Sequence, residues 1–223
     1  MTAICVIPAR GGSKGIPEKN IKPVCGKPLL AWSIEQALAS KSVDKVIVST
    51  DCDKIATVAW EYDAEVFIRS PETATDTASS ESALLEALRQ YPGYQACVFL
   101  QATSPIRQPK DIDNCVELVE SYCDSVFSAR VVEGYTWSQG CGMLRANYTT
   151  RQPRQQWDSS VLEENGSIYA FRTGGFLDAG VRIFGRTQAY QMHALDSYQV
   201  DEPADLDLIE NLMRLRLDSF TTV

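Results

Sequence analysis

Short segments rich in β-branched residues alternate with amphipathic segments along most of the chain, and no other feature constrains the fold as strongly. Residues 3–8 and 96–101 are apolar almost throughout, which is typical of strands that are buried on both faces. Segment 28–38 instead places its Leu, Ile and Ala residues on one helical face. Strands of this kind belong to parallel sheets that helices cover. The sequence therefore predicts an α/β fold with a mostly parallel sheet and helices on both of its faces.

These segments follow one another without a linker, so the 223 residues are predicted to form a single domain. Strands are predicted at 3–8, 45–49, 65–69, 96–101, 125–131, 166–171 and 188–192, and helices at 28–38, 53–62, 79–91, 110–122 and 203–217. The pattern is lost between 132 and 165, where polar residues and two tryptophans predict an irregular insertion or a hairpin within the domain.

Charge and composition exclude several classes of function. Asp and Glu number 29 against 21 Lys and Arg, a net charge of −8, whereas a nucleic-acid surface needs a basic patch. No window reaches the roughly 18 apolar residues of a membrane span, and the first residues predict a strand rather than a signal peptide. The seven cysteines form no Cys-x-x-Cys pair, which is typical of reduced thiols in a cytoplasmic protein. The single histidine excludes mechanisms that need two.

The loop after the first strand carries the clearest chemical signal. Residues 9–20 read Ala-Arg-Gly-Gly-Ser-Lys-Gly-Ile-Pro-Glu-Lys-Asn, so three glycines allow a tight turn whose N–H groups point at an anion. Arg10, Lys14 and Lys19 add three positive charges, and ligands of open α/β sheets bind beyond the carboxyl ends of strands. The loop therefore predicts a polyphosphate site, and the alternative is a turn with solvated lysines. It matches neither the Walker loop nor the dinucleotide motif.

This loop, with Ile-Pro-Ala-Arg-Gly-Gly-Ser-Lys-Gly-Ile-Pro at 7–17, resembles the N-terminal signature of the acylneuraminate cytidylyltransferases (the CMP-sialic acid synthetases). Further matches occur in order at 19–21, 48–51, 69, 76–80, 100–105, 124–128, 153–155, 164–169 and 201. The resemblance covers about residues 3–213 and implies a Rossmann-like nucleotidyltransferase fold. The segment 154–158 resembles the animal members in particular, whereas the short chain resembles the bacterial ones.

The resemblance implies a reaction in which CTP and a free nine-carbon 2-keto sugar acid give a CMP-sugar and pyrophosphate, with Mg²⁺ as cofactor. N-acetylneuraminic acid is the expected substrate, and legionaminic, pseudaminic and deaminated neuraminic acids are alternatives. A sugar-phosphate nucleotidyltransferase is a second alternative, although the Gly-x-Gly-Thr-Arg loop usual in those enzymes is absent. A non-enzymatic nucleotide-binding module is the remaining possibility.

The resemblance and the charges that the reaction must neutralise assign the site residues. Arg10, Lys14 and Asp201 are the expected catalytic residues, because the leaving pyrophosphate and the metal need charged partners. The residues expected to bind the nucleotide are Ala9, Arg10, Gly11, Ser13, Lys14, Lys19, Asn20, Arg69, Ala78 and Ser80. Those expected to bind the sugar acid are Gln101, Arg154, Gln155 and Tyr169, with Arg154 as a bidentate partner of its carboxylate. Four non-functional alternatives stay open: a solvated Arg69, a core Tyr169, Gln101 as a cap of Thr103, and a plain hairpin turn at Asn165–Gly166.

Asp201 is the expected Mg²⁺ ligand. Its alternative role is to cap the helix that follows, because an acidic residue before a helix commonly does so. Many family members carry a second aspartate two positions earlier, where this chain has Gln199, and Asp205 is a reserve ligand in the first helical turn. By analogy with members that exchange such a segment across a two-fold axis, 132–152 is expected to contact a second copy, so the protein is expected to be a homodimer or a higher homo-oligomer.

Overall fold

The computed structural model describes residues 1–13, 15–156 and 161–220, and the side chains of these residues except 154 and 216–220. The strands are β1 (Ala3–Pro8), β2 (Pro23–Val24), β3 (Lys27–Pro28), β4 (Lys45–Thr50), β5 (Glu65–Ile68), β6 (Ala96–Leu100), β7 (Ser125–Val131), β8 (Trp137–Gly140), β9 (Met143–Ala146), β10 (Leu162–Arg172) and β11 (Thr187–Gln191). The α-helices are α1 (Leu29–Leu38), α2 (Asp53–Glu61), α3 (Ser80–Gln90), α4 (Pro109–Ser121), α5 (Thr173–Ala179) and α6 (Pro203–Phe220).

The central sheet has seven strands in the order β11-β7-β10-β6-β1-β4-β5. Strand β10 runs antiparallel to both of its neighbours, while the β11–β7, β6–β1, β1–β4 and β4–β5 pairs are parallel. The predicted mostly parallel α/β sheet is therefore confirmed. Because β1, β4, β5 and β6 run in the same direction, their carboxyl ends meet at one edge of the sheet.

Helices cover both faces of the sheet, as predicted. Helices α1, α2 and α4 pack on one face through apolar residues such as Ile34, Ile55 and Val116. Helices α3 and α5 pack on the other face, where Leu84 and Phe176 contact the alternate residues of the strands. Because helices cover both faces, the central strands carry apolar residues on both faces and have no polar face.

A third apolar cluster anchors the loop that follows β1. Ile16 in this loop is buried against Val24, Leu29 and two residues of α6, Ile209 and Met213. The loop is therefore held between the β2–β3 hairpin and the last helix, although it is rich in glycine.

The chain between β7 and β10 contains the hairpin β8–β9, in agreement with the expected hairpin. Its boundary differs from the prediction, because residues 162–165 already belong to β10, and 162–164 pair with β7. Helix α5 and the β2–β3 hairpin were not predicted. All seven cysteines are free, and Cys5, Cys97, Cys115 and Cys123 are buried. Within the described part of the chain, every helix is too short or too polar to cross a membrane.

Candidate active site

Two neighbouring cavities open at the edge where the parallel strands end. The larger, of about 250 Å³, is lined by Pro8, Arg10, Arg69, Thr73, Thr75, Asp76, Ala78, Ser79 and Ser80. The smaller, of about 110 Å³, is lined by Pro8, Asn20, Ser80, Phe99, Gln101, Ala102 and Thr103. Pro8 and Ser80 line both cavities, so the two spaces adjoin. The structure therefore brings five of the predicted nucleotide residues and one predicted sugar residue together: Arg10, Asn20, Arg69, Ala78, Ser80 and Gln101.

Arg10 closes one side of the larger cavity. Its Nη1 donates a hydrogen bond to the carbonyl of Thr75 at 2.8 Å and lies 3.0 Å from Oδ1 of Asp76. These contacts join the loop after β1 to the segment before α3. An anionic ligand that binds Arg10 therefore competes with the carboxylate of Asp76.

Arg69 lines the same cavity and is 7% exposed. Burial lowers the pKa of its guanidinium, and the carboxylate of Asp51, 3.8 Å away, opposes that shift. Within the described residues its Nε has no hydrogen-bond partner. A buried donor without a partner is costly, so this N–H suits a polar ligand in the cavity. The structure contradicts the alternative of a solvated strand end.

The backbone of the loop after β1 is held by neighbouring elements. The N–H of Ala9 donates to the carbonyl of Ser49 at 2.9 Å, and the N–H of Ser13 donates to the carbonyl of Gly11 at 3.1 Å. The N–H of Gly11 donates to Oδ1 of Asp51 at 3.0 Å. It is therefore already bonded within the protein, and Asp51 links this loop to Arg69.

Gly11 also lies unusually close to the next strand-to-helix connection. A Cβ placed on Gly11 would lie 2.9 Å from Cβ of Cys52. Glycine is therefore required at this position by close approach to Cys52 rather than by a positive φ.

Lys19 and Asn20 connect the loop to distant parts of the chain. The Nζ of Lys19 donates to the carbonyl of Val200 at 2.9 Å and to Oδ1 of Asp201 at 3.2 Å. The Nδ2 of Asn20 donates to the carbonyl of Arg10 at 3.1 Å. The alternative of solvated lysines is therefore wrong for Lys19, and Lys14 lies outside the described residues.

Asp205, rather than Asp201, caps helix α6. One oxygen of Asp205 accepts hydrogen bonds from the N–H groups of Asp201 at 2.8 Å and Glu202 at 2.7 Å. These bonds lower the pKa of Asp205. The carboxylate of Asp201 is 68% exposed and pairs with Lys19. The expected first-turn position of Asp205 is confirmed, and the capping alternative for Asp201 is wrong.

A metal at this place would have a sparse set of protein ligands. The described residues contain no group of three or more His, Cys, Asp or Glu side chains that could hold a metal ion. The amide of Gln199 donates to the carbonyl of Asn165, and its Oε1 lies 3.4 Å from Oγ1 of Thr103. Gln199 therefore joins two segments of the protein, whereas the carboxylate of Asp201 is exposed.

A bulge in β10 lies next to Gln101, which lines the smaller cavity. The pairing register of β10 with β7 shifts between Glu164 and Tyr169, and Gly166 has a φ of +67°. A Cβ on Gly166 would lie 2.5 Å from Nε2 of Gln199 and 3.0 Å from Nε2 of Gln101. Only glycine allows this backbone to approach both amides.

The side chain of Asn165 fixes this bulge from within the core. Its Oδ1 accepts from Oγ of Ser128 at 2.5 Å and from the N–H of Ser167 at 3.1 Å. Its Nδ2 donates to Oγ of Ser197 at 2.9 Å. Asn165 and Gly166 therefore do not form a plain hairpin turn, because they lie inside one continuous strand.

Two of the predicted sugar residues, Tyr169 and Gln155, line neither cavity. Tyr169 is 3% exposed, stacks on Phe99 with 5.3 Å between ring centroids, and donates its hydroxyl to Glu164. Burial and that hydrogen bond raise its pKa. Tyr169 lines neither cavity and reaches the smaller one only through Phe99. Gln155 is exposed in the short turn Arg154–Gln156 and lines neither cavity, and the side chain of Arg154 is outside the described part.

Two residues that sequence reasoning did not assign are central to the site. Asp51 contacts both Gly11 and Arg69, and Arg107 contacts the backbone of Gln101. Asp51 ends one of the matched segments, and Arg107 follows another by two residues. Their positions were therefore visible in the sequence, but their distant partners were not.

The fold and the cavities define a class of protein, namely an α/β protein with arginine-lined cavities where its parallel strands end. A profile of the cytidylyltransferase family matches residues 4–221. The chain belongs to the cytidylyltransferase family.

Curated relatives are similar over nearly all of the chain. The N-acylneuraminate cytidylyltransferase A of Danio rerio is 39% identical over 211 residues, which are 91% of this chain and 48% of that protein. The N-acylneuraminate cytidylyltransferase of Streptococcus agalactiae serotype III is 34% identical, over 92% of this chain and 52% of that protein. The chain thus spans about half the length of the curated relatives it matches. The short chain was expected to resemble the bacterial members. This expectation is wrong for the streptococcal protein, because the match covers only 52% of it.

Solved structures with low sequence identity share the fold. A CMP:2-keto-3-deoxy-manno-octonic acid synthetase complexed with CTP has a TM-score of 0.70 and 20% identity, over 97% of this chain and 100% of that chain. The 4-diphosphocytidyl-2C-methyl-D-erythritol synthase from Anaerococcus prevotii has a TM-score of 0.74 and 12% identity, over 96% of each chain. These likenesses confirm the nucleotidyltransferase type of α/β fold.

Proposed function

We propose that this protein transfers the cytidylyl group of CTP to a free nine-carbon 2-keto sugar acid, N-acetylneuraminic acid in the first place. The observation that carries the proposal is the pair of adjoining cavities. One is lined by a buried arginine donor that has no partner among the described residues, and the other is lined by Gln101. A nucleotide and an acceptor must meet at one point, and adjoining spaces suit that demand. Family membership and the names of the curated relatives support the same chemistry.

The larger cavity is assigned to the nucleoside part of CTP. In this proposal Arg69, the backbone near Ala78 and the hydroxyl of Ser80 hold the cytosine and the ribose. The unpartnered Nε of Arg69 supports this assignment, because a cytosine carbonyl or a ribose hydroxyl would satisfy it. The triphosphate would then lie along the loop after β1.

Charge on the phosphates would be neutralised by that loop. Arg10, Lys14 and Lys19 are the cations, and the backbone of Ala9, Gly11 and Ser13 with the side chain of Asn20 sets the shape of the loop. The anomeric hydroxyl of the sugar acid attacks the α-phosphorus in line with the departing pyrophosphate. Positioning and electrostatics do most of the work in such a transfer. Arg10 must leave Asp76 to contribute, which links nucleotide binding to the segment before α3.

The sugar acid is assigned to the smaller cavity, where Gln101 offers its side-chain amide. Tyr169 supports this cavity through its stacked neighbour Phe99. Arg154 is proposed to form two hydrogen bonds with the substrate carboxylate, with Gln155 beside it. Both residues belong to the segment between β7 and β10, which would have to cover the cavity in the same copy or in a second one.

A single Mg²⁺ ion fits the residues at Asp201. Mg²⁺ commonly takes one or two protein carboxylates and completes its octahedron with phosphate oxygens and water. Asp201 has an exposed carboxylate, whereas the carboxylate of Asp205 already accepts two backbone hydrogen bonds. Asp201 would hold the ion, and the ion when bound supplies Lewis-acid activation of the α-phosphate. We expect CTP to contribute most of the affinity for the metal.

The assembly is proposed to be a homodimer formed within a single-domain chain. The segment between β7 and β10 exposes apolar side chains, with Trp137 51%, Met143 74% and Leu144 67% accessible. Exposed apolar groups of this size suit contact with a second copy.

A cytoplasmic location is proposed because all seven cysteines are free thiols.

One experiment separates the proposed functions. The protein is incubated with CTP, Mg²⁺ and either N-acetylneuraminic, legionaminic, pseudaminic or deaminated neuraminic acid, and pyrophosphate release is measured. The same assay with sugar 1-phosphates tests the second alternative. Release with a sugar acid alone supports the proposal, and release only with a sugar 1-phosphate overturns it. No release with any acceptor, despite CTP binding, would favour a non-enzymatic nucleotide-binding module.

A further inference from the structure

Arg107 is the bulkiest of the fully buried residues in the described part of the chain, and it does not line the smaller cavity but bonds the backbone of Gln101, which does. Its guanidinium donates to the carbonyls of Gln101 at 2.5 Å, Ser104 at 3.1 Å and Ser167 at 2.7 Å. Its Nη2 also donates to Oγ of Ser33 at 2.8 Å. Four neutral oxygens from three segments of the chain therefore converge on one buried cation.

Burying a guanidinium at this position carries a large desolvation penalty. Burial lowers the pKa of the Arg107 guanidinium to about 10, so the group stays charged at neutral pH without a carboxylate among its four acceptors. An apolar side chain of similar volume would fill the same space with a smaller desolvation penalty. What the guanidinium provides instead is a fixed distance between the carbonyls that it joins.

Two of those carbonyls belong to the segment that lines the smaller cavity and to the β10 bulge that lies against this segment. Gln101 follows β6 and lines the cavity, and Ser167 follows Gly166 in the bulge of β10. The Gly166 backbone lies so close to Gln101 that a Cβ would come within 3.0 Å of its amide nitrogen. A small change in the distance between these segments would therefore displace the amide that is proposed to meet the sugar acid.

We propose that Arg107 is a positioning residue for the sugar acid, an inference that rests on the proposed function. It fixes Gln101 against the bulge of β10 and does not touch the substrate. None of its four hydrogen bonds reaches Arg69, Ala78 or Ser80, which line the larger cavity. Loss of the Arg107 hydrogen bonds should therefore lower kcat/KM for the sugar acid and leave the affinity for CTP unchanged.

Two variants and one matched control test this role. Arg107→Lys keeps a positive charge but loses the planar fork. Ser33→Ala removes one acceptor of Arg107 on α1, outside both cavities, together with the 3.4 Å hydrogen bond that the same Oγ donates to the carbonyl of Gln101. Ser40→Ala is the control, because Oγ of Ser40 also makes a partly buried hydrogen bond, to Asp113 at 2.5 Å, and among the described residues it shares no hydrogen-bond partner with Arg107. We expect kcat/KM for the sugar acid to fall about 10- to 100-fold in Arg107→Lys and less in Ser33→Ala. The Kd of CTP should stay within about twofold of wild type in both, and Ser40→Ala should change neither constant.

Hydrogen–deuterium exchange of the free protein gives a second measurement that needs no substrate. We expect faster exchange in 101–107 and 164–169 in both variants, with 69–80 unchanged. Unchanged exchange in these two segments, or an equal loss of CTP affinity, overturns the role of Arg107. Should Arg107→Lys fail to fold, Ser33→Ala decides alone. A wild-type protein that turns over no sugar acid refutes the proposed function, while exchange still decides whether Arg107 fixes the two segments.

Discussion

Two aspartates four positions apart, Asp201 and Asp205, have separable roles that one pair of substitutions distinguishes. Asp205→Ala removes an acceptor that bonds two backbone N–H groups at the start of α6, at 2.8 and 2.7 Å. Loss of a capping side chain costs about 0.5–2 kcal/mol, and two charge-assisted bonds place Asp205 in the upper half of that range. At roughly 2–4 °C per kcal/mol for a chain of this length, the Tm should fall by about 2–8 °C.

Asp201→Asn should leave the Tm almost unchanged. The side chain is 68% exposed, and its pair with Lys19 is of the kind that contributes about 0–1 kcal/mol. The nitrogen of Lys19 also keeps its hydrogen bond to the carbonyl of Val200. Activity should nevertheless fall steeply, and the Mg²⁺ concentration for half-maximal rate should rise, because the carboxylate proposed to bind the metal is lost.

Melting curves and pyrophosphate release at several Mg²⁺ concentrations measure both effects. The pKa of Asp205 is lowered from its ordinary 3.8 by the two backbone bonds, so its contribution to stability is complete above that pH. The contribution is lost as the pH falls through the lowered pKa, and the difference in Tm between wild type and Asp205→Ala should shrink in acid. If Asp201→Asn instead lowers the Tm as much as Asp205→Ala and keeps the wild-type Mg²⁺ curve, this separation of roles is wrong.

Three further substitutions test other parts of the site. Lys14→Ala should lower kcat about 100- to 1,000-fold with little change in the Kd of CTP, because its charge acts mostly on the leaving pyrophosphate; a wild-type kcat would remove it from the mechanism. Gly166→Ala should raise the KM for the sugar acid and cost about 1 kcal/mol or more, measured by kinetics and melting, because its φ is +67° and the added Cβ meets two amides. Gly140→Ala, in open space, is its control, and an equal KM in both would contradict the reasoning. Asp76→Ala should lower the KM for CTP about two- to fivefold by releasing Arg10, and a raised KM would show that Asp76 assists binding.

The strands of the sheet could be predicted from the sequence because segments that are buried on both faces consist almost entirely of apolar residues. Strands β1 and β7 match their predicted bounds, and most of the others differ by one residue at an end. Helix α5 was missed because it begins Thr-Gly-Gly and buries only two residues, Thr173 and Phe176, which produces no helical period. The β2–β3 hairpin has two residues per strand, too few for an alternating pattern.

The site could be predicted only where a residue acts through its own chemistry. Arg69 was identified as a ligand-binding arginine, and it does line a cavity. The links from Asp51 to Gly11, from Arg107 to Ser167 and from Lys19 to Val200 join residues 40 to 181 positions apart. Such hydrogen bonds depend on the final packing of the chain, and no local period or motif encodes their partners.

The reversed direction of β10 has a consequence for how a fold of this type can diversify. Strand β7 runs in the same direction as β6, so the chain leaves β7 at the edge where both cavities open and returns there to start β10. Everything between these two strands is therefore built beside the two cavities and outside the sheet. Each doubling of such a connection costs only about 0.6 kcal/mol in loop-closure entropy. The side of the molecule that is proposed to bind the acceptor can thus be lengthened, shortened or exchanged over evolutionary time, while the hydrophobic layers under the proposed nucleotide site stay the same.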